Sequence, residues 1–171
     1  MITLRKLKNC DKDYELLEKW YNQKEIYYNF EQRIISLDEI KEKYYPRTLE
    51  NASIPVYMIE YNDNPIGIIQ YQLINERNKK IYNIENNNCY EIDIFIGNLD
   101  FHNQGLGSKC INIISNYLFK EKDANLLVMC PLIENKQAIK CYKKCGYEIT
   151  KTFTDKNTIG ISKEYVLMIK K

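Results

Sequence analysis

The order of apolar and polar residues alternates between two periods, which predicts a succession of strands and helices. Ile2 to Leu7 mixes apolar and polar residues in partial alternation, as expected of a strand with one buried face. The next segment has helical spacing through Trp20, and Asp11 or Asp13 can cap it. Further helices are predicted from Ser36 to about Tyr44, from about Ser108 to Phe119 and from Asn135 to Cys145. Further strands are predicted at Val56–Tyr61, Ile66–Leu73, Tyr90–Ile96, Leu126–Met129, Tyr147–Phe153 and Tyr165–Ile169.

Helix-capping and turn-forming residues support these boundaries. Ser36 to Glu39 has the sequence of a capping box, and Pro46 is expected to end that helix. Asn62 to Pro65 predicts a hairpin turn, and Gly146 is suited to a left-handed helix cap. The polar, Asn-rich segment from Asn75 to Asn88 is predicted to be an irregular loop. We therefore expect one mixed α/β domain over residues 1–171.

Composition excludes several functional classes. The chain has 171 residues, of which 44% are hydrophobic and 28% charged, as in ordinary globular domains. A net charge of +2 with scattered lysines predicts no nucleic-acid partner. There is no apolar run of membrane-spanning length and no signal-peptide pattern, so we expect no membrane partner and a cytoplasmic location. The sequence leaves the choice between monomer and homodimer open.

Six cysteines predict neither a metal site nor a disulfide framework. No C-x-x-C pair occurs, and His102 is the only histidine, so no metal is expected. Disulfides are unusual in a cytosolic chain of this size. Cys141 and Cys145 are four residues apart on a predicted helix, which favours a shared face turned towards the core.

The most informative segment is a glycine turn that follows the strand Tyr90–Ile96. His102-Asn103-Gln104-Gly105-Leu106-Gly107-Ser108 opens a predicted helix, and free N–H groups at a helix N-terminus bind phosphates. A dinucleotide-binding turn would need a third glycine where Cys110 stands, and the lysine of a Walker loop is missing. Taken alone, the Gly-x-Gly pattern is as typical of a tight structural turn as of a phosphate site.

A second motif decides between these interpretations. Asn135 to Tyr147 resembles N-x-x-A-x-x-x-Y-x-x-x-G-F/Y, a hallmark of the GNAT acyltransferases. The resemblance implies a GNAT fold with a mixed sheet splayed at Tyr90–Ile96 and flanked by helices. It also implies that acetyl-CoA enters the gap between that strand and Leu126–Cys130. Its expected contacts are Phe95, Ile96, Gln104, Gly105, Leu106, Gly107, Ser108, Asn135 and Ala138.

A closer resemblance extends from the first helix to the last. Leu16 to Trp20, Ile59 to Asn62 with Pro65 to Gly67, and Ile92 to Gly97 are similar to aminoglycoside 6′-N-acetyltransferases. The similarity implies an N-acetyltransferase that takes acetyl from acetyl-CoA to a cationic amine and confers antibiotic resistance. It makes Asp93 the expected base and cation anchor, and Tyr142 the expected general acid.

Each of these roles has a simpler alternative. Asp93 could cap a loop or pair with a lysine, Tyr142 could be a core aromatic, and Asn135 could cap its helix. An amine must lose a proton before it attacks a thioester, so a carboxylate near the acetyl group is what the chemistry requires. A free backbone N–H near Phe95 would stabilise the oxygen that gains charge.

The acceptor side is less closely determined. Trp20, Tyr27, Tyr28, Glu91 and Asp93 are the predicted substrate contacts, although core packing is the alternative for Trp20, and Glu31 and Glu85 could add acidity. Two positions depart from the family. Cys130 stands where an Asp often faces the acceptor amines, and His102 replaces a Gln or Arg of the general turn. The first departure leaves another amine open as acceptor, such as a protein N-terminus, a polyamine or a siderophore precursor.

Overall fold

The computed structural model describes all residues from Met1 to Lys171 and contains one seven-stranded sheet. The strands are β1 Ile2–Lys6, β2 Val56–Tyr61, β3 Asn64–Leu73, β4 Cys89–Ile96, β5 Leu126–Met129, β6 Glu148–Lys156 and β7 Ser162–Lys170. Their order across the sheet is β1-β2-β3-β4-β5-β7-β6. The pair β4–β5 is parallel and the other neighbours are antiparallel, so the predicted mixed α/β class is confirmed.

Six helices accompany the sheet. They are α1 Asp11–Tyr21, α2 Lys24–Tyr27, α3 Leu37–Thr48, α4 Glu76–Tyr82, α5 Leu106–Glu121 and α6 Lys136–Lys144. Ser36 caps α3 with the predicted capping box, because its hydroxyl accepts from Glu39 N and the Glu39 carboxylate accepts from Ser36 N. None of these helices has the length and apolarity needed to cross a lipid bilayer.

The two faces of β4 belong to different cores. Ile92 and Ile94 pack in a cluster with residues of α5 such as Ile111. Phe95 packs on the other face, in a cluster with Trp20 of α1 and Tyr44 of α3. Alternation of side chains along the strand therefore places the neighbouring Asp93 on the α1–α3 side of the sheet.

Three local predictions were wrong. Helix α3 continues through Pro46 to Thr48, because a proline in the last turn removes only one backbone bond. The segment predicted as a loop contains α4, whose asparagines serve as caps: Asn75 Oδ1 accepts from Asn78 N at 2.9 Å, and Asn83 is left-handed at φ 58°. In α1 the N-cap is Cys10, without a side-chain bond, while Asp13 is buried against Arg5.

Candidate active site

The sheet opens between its two parallel strands. Pairing of β4 with β5 stops at Glu91 and Val128, although β4 continues to Ile96. A cleft of about 700 Å³ fills the opening, and its lining includes β4, the glycine turn, α6 and Cys130. The splayed strand implied by the GNAT resemblance is thus present at the expected position.

The hydrogen bonds at the ends of β4 show which backbone groups face the cleft. Gly97 N donates to Ile66 O at 2.7 Å, and Cys89 O accepts from Ile74 N at 2.9 Å, so odd-numbered residues of β4 face β3. The N–H groups of Ile94 and Ile96 therefore point towards the cleft, beyond the last pair with β5. The N–H group of Phe95 itself is turned towards β3, so the free donors predicted near Phe95 belong to its two neighbours.

His102 closes the end of the strand. Its Nε2–H donates to the Ile96 carbonyl oxygen at 2.7 Å, because a carbonyl can only accept. The imidazole thereby satisfies a carbonyl that would otherwise face the cleft and fixes the turn relative to β4. His102 can therefore hold the turn in place at the position where the family has a Gln or an Arg.

The glycine turn carries a run of free donors. The backbone N–H groups from Gln104 to Ser108 have no acceptor within the protein, and α5 begins at Leu106. Gly105 has φ +73°, and a methyl group on Gly105 or Gly107 would meet no atom within 4 Å. Leu106 offers only its N–H, because its side chain is buried in the core. Such a concave row of N–H groups fits a pyrophosphate.

Helix α6 forms the second wall of this anion site. Gln137 Nε2 donates to Asn103 Oδ1 at 2.9 Å and ties the helix to the turn. Lys140 and Lys144 line the cleft and bring positive charge to it. Asn135 Oδ1 accepts from Ala138 N at 3.1 Å, so the helix-capping alternative for Asn135 is present in the structure. Its side-chain NH2 group makes no hydrogen bond within the protein.

Asp93 lies in the cleft beside a polar partner from β3. Gln70 Nε2 donates to its Oδ2 at 3.1 Å, and Asp93 makes no other hydrogen bond within the protein. Burial raises the pKa of Asp93, and the Gln70 hydrogen bond with the charges of Arg47 and Lys43 lowers it in part. A carboxylate with a raised pKa accepts a proton from an ammonium more readily than an exposed one.

Tyr142 enters the cleft from the opposite wall. It is half-buried, packs with its ring tilted against Tyr147, and lines the cleft. Burial, together with the negative charges that Cys141 and Asp93 can carry, raises its pKa above that of a free phenol. The hydroxyl therefore keeps its proton at neutral pH, as a general acid requires.

A second carboxylate lies two residues before Asp93 on the same face of β4. Glu91 is 8% exposed, and its Oε1 accepts from Tyr82 OH at 2.9 Å. Asn78 Nδ2 reaches Oε2 at 3.4 Å. Burial and the neighbouring charge of Asp93 raise the pKa of Glu91 to about 7. Glu91 therefore supplies a carboxylate to the cleft that Cys130 also lines, where the family often has an Asp at position 130.

The aromatic acceptor contacts were predicted less well. Trp20 is 3% exposed in the core, so the packing alternative is correct. Tyr27 and Tyr28 lie outside the cleft lining, and so does Glu85. Glu31, which was predicted to add acidity, lines the cleft together with Phe30 of the same loop.

Several polar residues of the site were missed by sequence reasoning. Gln70 is the polar interruption in the apolar run of β3, and that irregularity was the available signal. Lys43 pairs with Glu31 at the wall of the cleft, and Arg77 pairs bidentately with Asp155 at 2.6 and 3.0 Å. Nothing local in the sequence indicated these contacts, because their partners are distant along the chain.

The cysteines form no disulfide, and their surroundings differ. Cys89, Cys110 and Cys145 are buried, as predicted for core thiols, whereas Cys10 is exposed. Cys141 is half-buried and also lines the cleft, and it packs against the core cluster that contains Cys145, so the predicted shared face towards the core is present. No three His, Cys, Asp or Glu side chains are grouped as a metal site would require.

Comparison with known proteins identifies what this architecture is similar to. The family model described as acetyltransferase (GNAT) domain matches residues 9–155. The aminoglycoside N(6′)-acetyltransferase type 1 of Klebsiella pneumoniae is 27% identical over 156 residues, which cover 90% of this chain and 77% of that protein.

Two solved structures illustrate the range of similar folds. Aminoglycoside acetyltransferase AAC(6′)-Ib in complex with coenzyme A and kanamycin superimposes with a TM-score of 0.76 at 23% identity, over 99% of this chain and 94% of that one. A spermidine N-acetyltransferase SpeG variant from Vibrio cholerae superimposes with a TM-score of 0.74 at 20% identity, over 99% and 92%.

Proposed function

The chain belongs to the GNAT acetyltransferase family, and we propose that it transfers acetyl from acetyl-CoA to the 6′-amine of aminoglycosides. The observation that carries this proposal is the position of Asp93, a half-buried carboxylate in the gap between the splayed strands β4 and β5. The similarity to aminoglycoside N(6′)-acetyltransferases over 90% of the chain supports the acceptor class.

Acetyl-CoA fits the groups that line the cleft. Free N–H groups from Gln104 to Ser108 suit its pyrophosphate, and Lys140 and Lys144 suit its remaining negative charge. The unpaired edge of β4 suits the amide groups of the pantetheine arm, to which the Asn135 NH2 group adds a donor. When bound there, acetyl-CoA supplies the activated acetyl group.

The residues around the gap divide the chemistry among them. Asp93 attracts the acceptor ammonium and takes one proton from it. The N–H groups of Ile94 and Ile96 lie where they can stabilise the oxygen that gains negative charge. Tyr142 holds the proton that the leaving thiolate needs. Glu91 anchors a second ammonium group of the acceptor, in place of the acid absent at Cys130.

A thiol-release assay with matched acceptors tests the proposal. Neomycin and paromomycin differ in carrying an amine or a hydroxyl at the 6′ position, so acetylation of the 6′-amine predicts turnover of neomycin and little of paromomycin. Equal turnover of both would show that another amine is acetylated. We expect Asp93→Asn to lower kcat/KM by about 10²-fold or more, and Tyr142→Phe to lower kcat.

A linear polyamine is the second candidate acceptor. It is favoured by Cys130, which removes one acidic contact expected for an aminoglycoside, and by the remaining carboxylates Glu31, Glu91 and Asp93 in one cleft. Robust turnover of spermidine without turnover of any aminoglycoside would select this candidate. Location in the cytoplasm and the oligomeric state, monomer or homodimer, remain part of the proposal.

A further inference from the structure

A chain of hydrogen bonds connects helix α3 to the carboxylate that we assign as base. Arg47 Nη1 donates to Gln70 Oε1 at 2.7 Å, and Gln70 Nε2 donates to Asp93 Oδ2 at 3.1 Å. Gln70 and Asp93 are partners in the register of β3 and β4, so their side chains lie on the same face of the sheet. Oδ1 of Asp93 makes no hydrogen bond within the protein and is the oxygen left for a ligand.

The chemistry of the two ends fixes the orientation of the Gln70 amide. An arginine side chain carries only donors, so the atom that faces Arg47 must be the amide oxygen. The NH2 group then faces Asp93, and it can only donate. Arg47 is itself held in place, because its guanidinium lies over the Tyr44 ring at 5.0 Å from the centroid.

We infer that Arg47 and Gln70 are positioning residues: Arg47 orients the Gln70 amide, and Gln70 occupies Oδ2 of Asp93 and leaves Oδ1 for the acceptor ammonium. The inference rests on the proposed function, in which Asp93 is the base. The ammonium gives one proton to Oδ1 of the ionised carboxylate, which produces a neutral amine and a neutral Asp93. The nitrogen lone pair is then free to attack the thioester carbon. A proton on Oδ2 would displace the Gln70 NH2 group. The hydrogen bonds from Arg47 through Gln70 therefore keep the proton on Oδ1, the oxygen that faces the acceptor.

The surroundings of Asp93 show why this contact is needed. Burial raises the pKa of Asp93, and Glu91 on the same strand adds a nearby acid. The facing groups Tyr21, Tyr44, Tyr142 and Cys130 all have raised pKa values and are neutral at pH 7. The cations are Arg47 and Lys43, and Lys43 is already paired with Glu31. Gln70 thus delivers the one direct hydrogen bond that favours the ionised base.

An NMR titration of the enzyme without acceptor tests the inference directly. The Asp93 carboxyl carbon is assigned by its absence from Asp93→Asn, and its pKa is followed in each variant. We expect Gln70→Leu and Arg47→Met each to raise the Asp93 pKa, by about one pH unit for Gln70→Leu, because a hydrogen bond to the charged form is lost. Arg33→Met is the matched control, since Arg33 pairs with Glu39 away from the cleft.

An Asp93 pKa unchanged in both variants, with their folds verified by circular dichroism, overturns the inference. Because no acceptor is present, that result is independent of whether aminoglycosides are substrates. If they are turned over, we expect kcat to fall by about tenfold in Gln70→Leu with KM little changed, because the base is misplaced. Arg47→Lys should lose less kcat than Arg47→Met. The double variant Gln70→Leu/Arg47→Met should have a kcat no lower than that of Gln70→Leu alone. If the kcat losses of the two single variants multiply in the double variant, Arg47 does not act through Gln70.

Discussion

The indole ring of Trp20 packs directly on Gly97, where β4 ends. A methyl group on Gly97 would lie 2.2 Å from Trp20 Cγ and 2.3 Å from Cδ2, which is closer than carbon atoms approach in proteins. Phe95 makes an edge contact with the same ring, with centroids 6.3 Å apart. Trp20 therefore acts on the site indirectly, by packing against the strand that carries Asp93.

We expect Gly97→Ala to lower the free energy of unfolding by about 1–3 kcal/mol, because the added methyl group overpacks the core. The double variant Trp20→Leu/Gly97→Ala should lose less than the sum of the single losses, since the smaller side chain makes room for the methyl group. Urea unfolding followed by fluorescence and circular dichroism measures all three. Strictly additive losses would mean that the two positions do not interact.

Gly107 offers the opposite case, because a methyl group there would enter open space within a helix. Gly107→Ala should keep or raise the thermal stability, since alanine favours the helix by about 0.5–1 kcal/mol. The same methyl group would occupy the side of the turn assigned to pyrophosphate, so we expect coenzyme A affinity to fall at least tenfold. Calorimetric titration measures this. An affinity equal to that of the unsubstituted enzyme would place the pyrophosphate elsewhere.

The sequence predicted most clearly what depends on neighbouring residues. The capping box at Ser36, the hairpin turn after Tyr61 and the glycine turn at Gly105 are each coded within a few positions, and all three are present. The same reasoning failed at Asn75, because asparagine caps a helix as readily as it breaks one. Local patterns therefore predicted where elements change, and less well which element follows.

The walls of the cleft were harder to predict because their contacts are distant in sequence. Asp93 was identified through a family resemblance, yet its partner Gln70 became visible only through the register of β3 and β4. Arg47 was hidden by the expectation that α3 stops before Pro46. Tyr28 was expected in the site but is exposed outside it, since the direction of a loop side chain depends on tertiary packing.

The raised pKa of Glu91 gives a pH dependence of stability with a definite sign. The pKa of this carboxyl is about 7 in the folded protein and 4.5 in the ordinary reference state. Between these values the folded state binds the proton more strongly than the unfolded state. The free energy of unfolding therefore decreases as the pH rises through this range. Burial of the charge above pH 7 is the physical cause.

Glu91→Gln removes this titration and keeps the side-chain volume. The difference in unfolding free energy between the variant and the unsubstituted protein should grow in favour of the variant by about 2–3 kcal/mol from pH 5 to pH 8. In the Asp93→Asn background the same comparison should give a smaller change with pH, because the neighbouring charge that helps to raise the Glu91 pKa is absent. Urea unfolding at each pH provides the values, and a stability difference independent of pH would show that Glu91 keeps an ordinary pKa.

Cys141 should be the most reactive of the thiols that line or border the cleft. The neighbouring Cys145 and Ser108 side chains lower the pKa of Cys141 to about 6, and the Ser108 Oγ lies 3.2 Å from the Cys141 Sγ. Burial raises the pKa values of Cys110 and Cys130 instead. At pH 7 the Cys141 thiolate is therefore the prevailing form, and the thiolate is the nucleophile. We expect alkylation by iodoacetamide to slow as the pH falls through about 6.

Coenzyme A should protect Cys141 from alkylation, because Ser108 belongs to the turn assigned to the pyrophosphate. Mass spectrometry of peptides after timed alkylation gives the rate for each cysteine, and the exposed Cys10 serves as an internal control that coenzyme A leaves unprotected. Ser108→Ala should slow alkylation of Cys141 near pH 6, since one hydrogen bond to the thiolate is lost. Equal protection of Cys10 and Cys141, or none at either, would contradict binding of the cofactor at this turn.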